Sequence, residues 1–129
     1  MTLQNALARL SISKLLAIAD KTADFTSTGF DWRAAGYEGV IGFLLYHSAG
    51  GGTTPTCAAK LEHSAVVGSG YVDVPSGSFA AIAVSDGVQL LLVETRVLKQ
   101  FVRINGDLGG TTPDYWMGSS LIGFKKYQS

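Results

Sequence analysis

Phe101-Val102-Arg103-Ile104-Asn105 alternates apolar and polar side chains with a period of two, which places Val102 and Ile104 on the inward face of a strand and Arg103 and Asn105 on the outward one. Val40-Ile41-Gly42-Phe43-Leu44-Leu45-Tyr46 and Leu90-Leu91-Leu92-Val93 have no such alternation and are apolar on both faces. Strands of this kind are expected to be covered twice, by a second sheet on one side and by a further element on the other. A partner subunit and the first residues of the chain are the two candidates for that second cover.

Working outward, clusters of Gly, Ser, Thr and Pro separate short runs rich in Val, Ile, Leu and aromatics from Ile12 onward, the pattern of strands and turns. Strands are predicted at 13–20, 39–48, 56–64, 71–74, 78–84, 88–95, 100–106 and 115–124. Ser85-Asp86-Gly87 reads as a tight hairpin turn. Longer loops are expected at 49–55 and 107–114, both ending in Thr-Thr-Pro. No long helical pattern is present to cross between parallel strands. The expected fold is therefore all-β, an antiparallel β-sandwich or jelly roll of about eight strands. Before it, Leu3, Ala6, Leu7 and Leu10 recur at spacings of three and four behind a possible Thr2 cap, so residues 1–12 read as a short helix or arm and residues 13–129 as a single domain. A helix of two turns does not stand alone and has to dock on its own domain or on a neighbour.

With 129 residues the chain suits one core. Ten Lys and Arg balance ten Asp and Glu, and the basic residues are scattered, which argues against nucleic-acid binding. The one adjacent basic pair, Lys125-Lys126, reads as a solubilising tail. A composition 47% hydrophobic and 16% charged is far from that of a disordered chain and leaves apolar surface for a partner. The start of the chain lacks the basic residues and apolar run of a signal peptide, and no stretch has the length of a membrane span, so neither secretion nor a membrane partner is expected.

Little in the sequence points to chemistry. The single cysteine, Cys57, shares a strand face with Ala59 and Leu61 and reads as a small core residue; alone it forms neither an internal disulfide nor a thiolate zinc site. His47 and His63 lie near the ends of different strands without a ligand motif, Gly68-Ser69-Gly70 lacks the strand-to-helix setting of a nucleophile elbow, and Gly50-Gly51-Gly52 lacks the sequel of a phosphate loop. No catalytic, cofactor or metal residues are assigned, and the chain is not expected to be an enzyme. Trp32, Tyr37, Tyr115 and Trp116 flank predicted loops, where aromatics serve as interface anchors or sugar platforms or close the ends of a sandwich as core caps. Together with Leu3, Leu7 and Leu10 they form the candidate interface.

Asp31-Trp32-Arg33-Ala34-Ala35-Gly36-Tyr37-Glu38-Gly39-Val40, leading into an apolar strand, resembles the Asp-x-x-Gly-Tyr-Glu entry of small phage structural proteins, with two alanines where one residue is more usual. The elements that follow keep that family's order: a Gly/Thr-rich loop, Ala58-Ala59-Lys60-Leu61-Glu62-His63-Ser64, Tyr71-Val72-Asp73-Val74-Pro75, and Lys99-Gln100-Phe101-Val102-Arg103-Ile104. Over residues 30–124 the chain is similar to bacteriophage cement or decoration proteins. The resemblance implies a protein made in the host cytoplasm that works on the capsid exterior of the virion, clamping major capsid protein subunits and pairing with itself as a dimer or trimer. It transfers no catalytic residue. A head-tail joining or tail-associated protein is the alternative within the virion, and a carbohydrate-binding module is the alternative of another class.

Overall fold

The computed structural model describes residues 8–126. Eight strands follow in chain order: β1 (Leu10–Lys21), β2 (Phe25–Thr26), β3 (Phe30–Asp31), β4 (Tyr37–His47), β5 (Gly51–Ser64), β6 (Val72–Ser78), β7 (Gly87–Glu94) and β8 (Phe101–Lys125), with a 3-10 turn at Thr95–Val97. All pairings between them are antiparallel. The fold is all-β, as the spacing of strands and turns predicts. Ala8 and Arg9 are helical; the remainder of the expected helix, with Leu3 and Leu7, lies outside the described residues.

One strand organises the rest. β8 is 25 residues long and belongs to both layers of the sandwich. Its first part, to Asp114, pairs with β5 on one side and with the short β2 and β3 on the other. Its second part, from Tyr115, lies between β1 and β4. β6 then extends β5, and β7 extends β4, so the layers read β6-β5-β8-β2/β3 and β1-β8-β4-β7.

The core lies between these layers. Ile41, Phe43 and Leu45 of β4 and Tyr115, Met117 and Leu121 of β8 cluster with Leu61 of β5 and Val102 and Ile104 of β8, all fully buried. Each such aliphatic or aromatic side chain contributes about 1.5–3 kcal/mol by leaving water. Cys57, Ala59 and Leu61 share the buried face of β5, as their alternation predicts. Leu15 and Leu16 are adjacent yet both buried, because β1 slips register against β8 between Lys14 and Leu16 and again before Ala19.

Three expectations about individual elements are corrected. Residues 78–84 do not form a strand beyond the end of β6: Phe79 and Ile82 are buried anchors, and only Ile82 bridges to Cys57. The side-chain amide of Gln89 accepts from the Ala80 N–H at 2.7 Å and donates to the Ala80 carbonyl at 3.0 Å, taking the place of a ladder partner. Asp86-Gly87 consequently closes no hairpin, since β7 pairs with β4. Finally, 49–55 and 107–114 are not free loops. They pair with each other from Gly51 opposite Asp114 to Thr56 opposite Gly109, which fuses the two strands expected at 100–106 and 115–124 into β8.

Candidate functional site

The outer face of the β1-β8-β4-β7 layer is the surface that stands out. Its side chains fall in rows across the four strands: Leu92, Gly42, Ile122 and Ile12 in one, Leu90, Leu44, Ser120 and Lys14 in the next. Val40, Phe124 and Leu10 extend it at one end, and Val88, Tyr46, Ile18 and Trp116 at the other. Large side chains on this face are strongly exposed: Leu92 at 70%, Val88 at 68%, Ile12 at 66% and Ile18 at 65%. Contiguous apolar patches of this kind are the usual character of interaction surfaces.

The face is not flat. A Cβ on Gly42 would lie 3.1 Å from Ile122 Cγ2 and from Leu90 Cδ1, so the neighbouring side chains close over a position that only glycine leaves open. Between Leu10, Val40, Leu90, Leu92, Ile122 and Phe124 this leaves an apolar groove of about 670 Å³. Arg9 closes one end, where its Nε donates to the Lys125 carbonyl at 2.8 Å and its guanidinium pairs with Glu38. A second hollow of about 370 Å³ lies at the opposite end, between Ile18, Tyr46, Val88 and Trp116. There the Tyr46 ring lies against Gly118 and its hydroxyl is 3.0 Å from Ser120 Oγ.

The opposite outer face has the contrary character. Arg103 donates to Glu62 at 2.9 Å and stacks over the Tyr71 ring at 3.9 Å, while Lys60 pairs with Asp73 at 2.9 Å. Asp73 raises the Lys60 ammonium above its ordinary value, so this surface carries fixed charge at neutral pH. The sandwich therefore has one apolar and one ionic side.

The four aromatics singled out in the sequence divide. Trp32, Tyr37 and Tyr115 are buried, and their polar tips are satisfied inside: Trp32 Nε1–H donates to the Lys99 carbonyl at 2.6 Å, the Tyr37 hydroxyl lies 2.7 Å from Ser13 Oγ, and the Tyr115 hydroxyl donates to the Ala83 carbonyl at 2.7 Å. They are core caps and present no anchor to a partner. Trp116, 56% exposed, remains on the apolar face, and Leu10 lines the groove. Adjacent Tyr115 and Trp116 thus point to opposite sides of β8, as strand geometry requires. The candidate interface omitted Ile12, Ile18, Val88, Leu90, Leu92, Ile122 and Phe124. Leu90 and Leu92 lie in one of the two-sided apolar runs, which mark strands apolar on both faces without showing which neighbours share the outer one; the others lie outside those runs.

Reactive side chains are held apart. Burial pushes the Cys57 thiol up to about 11, with Asp107 and Asp24 adding to the effect, so it stays protonated. His63 is buried and its Nδ1 accepts the Lys99 N–H at 3.1 Å, whereas the His47 Nδ1 lies 3.1 Å from the Ser48 carbonyl at the end of β4. Among the described residues no three His, Cys, Asp or Glu side chains gather as metal ligands, and no helix is long and apolar enough to cross a membrane.

No family model matches the chain, and no curated protein matches it in sequence. Solved structures do. A chain in the structure of the infectious bursal disease virus Gx strain superposes with a TM-score of 0.57 at 12% identity, over 93% of this chain and 33% of that one. A chain of the T13 particle of the same virus gives 0.55 at 10% identity, over 93% and 32%. YomS, a protein derived from the SPBc2 prophage, gives 0.48 at 6% identity, over 88% and 93%. This chain spans about a third of the length of the two viral chains, and at these identities the likeness is one of fold.

Proposed function

We propose that this chain is a structural protein of a bacteriophage particle, a cement or decoration protein that sits on the outside of the head and ties neighbouring major capsid protein subunits together. The observation that carries the reading is the contrast between the two outer faces. A decoration subunit lies with one side on a shell and the other in water. Ile18, Val88 and Trp116 give the first side a dry, aromatic-anchored contact. The Lys60, Glu62, Asp73 and Arg103 network gives the second a hydrated surface. A rigid body with an apolar face suits repeated weak contacts around a symmetric shell, which add through multivalency, and self-association as a dimer or trimer increases that effect. Fold likeness to chains of a virus particle is in keeping with this role.

The test is light scattering on the purified chain followed by co-sedimentation with emptied, expanded phage heads. Binding in proportion to the major capsid subunit supports the cement role. Retention of only about a dozen copies per particle moves the protein to the head-tail joint. A monomer that ignores the shell leaves the glycan-binding reading, whose support is the exposed Trp116 beside its hollow.

A further inference from the structure

The described strands leave the sandwich four sheet edges, and three of them carry features that keep another strand away. β1 slips register twice and bears Lys14, Asp20 and Lys21. β6 holds Asp73, Pro75 and Ser76, the last at a φ of 58°. β2 and β3 are two residues each. The fourth edge, β7, is built differently. It pairs with β4 without a break from Val40 opposite Glu94 to His47 opposite Gly87, and it has no proline and no charge before Glu94 at its end. Among the described residues, no backbone group outside β4 bonds to the backbone of residues 87–94. Gln89 ties the strand to Ala80, so the edge is held in place while its side away from β4 stays open. A regular, apolar strand with open N–H and C=O groups is a template for one more strand.

Charge and side-chain character favour a second copy of β7 as that strand. Antiparallel pairing of a strand with itself keeps outward side chains beside outward ones only when the two-fold axis passes through a residue position. With the axis at Leu91, Leu90 stands beside the partner's Leu92 on the outer face, and the exposed Asp86 reaches the end of the partner strand that leads into the partner's Arg96. An axis at Leu90 would set Asp86 against the partner's Glu94 instead. We infer that β7 pairs antiparallel with β7 of a second copy about a two-fold axis at Leu91, joining two β1-β8-β4-β7 layers into one eight-stranded sheet. The pairing uses the open edge of both copies, so assembly closes at the dimer. Both apolar outer faces then form one surface with Leu90 and Leu92 of each copy at its centre. This gives a surface to the self-association proposed above and does not rest on shell binding, which co-sedimentation reports separately.

The test uses the full chain. A contact of one strand pair is at the small end of specific interfaces, so light scattering over a dilution series is expected to show a mass rising from one copy to two. Leu90→Cys with Leu92→Cys in one chain, oxidised exhaustively with copper phenanthroline, is expected to give a covalent dimer lighter than two chains by four hydrogens. Opposed strand residues lie about 4.5–5.5 Å apart, within disulfide reach. Both side chains are exposed and Cys57 is buried, so neither the fold nor the native thiol interferes. Ile12→Cys is the control, since β1 lies three strands from β7 and the two copies of this residue would be more than about 30 Å apart. A monomer at every concentration, a trimer, a single disulfide per dimer, or linkage through Ile12→Cys and not across β7 would each overturn the inference.

Discussion

Thr53 stands opposite Thr111 at the centre of a local two-fold arrangement in which the segments Gly51–Thr56 and Gly109–Asp114 clasp each other. Both segments begin Gly-Gly-Thr-Thr-Pro. Gly51 pairs with Asp114 and Thr56 with Gly109, while Gly52 and Gly110 have φ of 95° and 98° and Thr54 and Thr112 have φ of 46° and 48°. Each second threonine hydroxyl donates to the preceding threonine carbonyl at 2.8 Å. The two strands thus bulge toward each other in the same way.

Because the two halves are equivalent, Gly52→Ala and Gly110→Ala should cost nearly the same. A Cβ on Gly52 would lie 2.3 Å from the Thr112 carbonyl oxygen and one on Gly110 would lie 2.4 Å from that of Thr54, each at a φ that disfavours side chains. Each variant is expected to lose roughly 2 kcal/mol or more. Urea denaturation measures it; a loss at one position only would mean that the clasp is not two-fold in its energetics.

Tyr115→Phe removes a fully buried hydroxyl that donates to the Ala83 carbonyl at 2.7 Å. The expected cost is about 1–2 kcal/mol with the fold retained, because the segment 79–86 loses one of its few ties to the core. Circular dichroism and a denaturation midpoint check both parts. An unchanged midpoint would show that Ile82 and Phe79 hold the segment unaided.

At the Trp116 end of the apolar face, Ile18→Ser combined with Trp116→Ser should leave stability within about 0.5 kcal/mol per site, since both side chains are already largely in water. Shell binding should nonetheless fall by an order of magnitude or more. Co-sedimentation of the double variant reads this directly, and undiminished binding would place the contact elsewhere on the molecule.

Burial holds the His63 imidazole below its ordinary value of 6.5, and the nearby Lys99 charge works in the same direction. The unfolded chain therefore takes up a proton that the folded chain resists, so stability is complete above that value and is lost as pH falls through it toward the lowered folded value. Protonation also removes the Nδ1 lone pair that accepts the Lys99 N–H. His63→Gln, whose side-chain oxygen can still accept that bond, should flatten the stability slope between about pH 7.5 and 5.5. An equal slope in both proteins would assign the acid sensitivity to carboxylates.

Much of the fold was legible in the sequence because strand periodicity is a local signal. Cys57-Ala59-Leu61 and Val102-Ile104 declare their buried face without knowledge of their neighbours. What the chain could not declare locally is pairing. The Gly-rich stretches at 49–55 and 107–114 carry loop composition, and only their apposition, more than fifty residues apart, makes them strand. Residues 78–84 fail in the opposite sense, since their strand-like composition has a Gln89 side chain where a ladder should be. For the candidate site, the two-sided apolar runs were the informative feature. The aromatics near predicted loops were mostly core, because Trp32, Tyr37 and Tyr115 each find an internal partner for their polar tip.

The place of β8 in chain order has a consequence for biosynthesis. β1, β2, β3, β4 and β5 all hydrogen-bond to it, whereas β4 with β7 and β5 with β6 are the pairings among the described strands that do without it. A nascent chain that has reached Leu98 therefore carries seven strands and two ribbons but no closed core. Its apolar segments must wait beside the ribosome until Phe101–Lys125 clears the exit tunnel, and closure then proceeds in one long-range step.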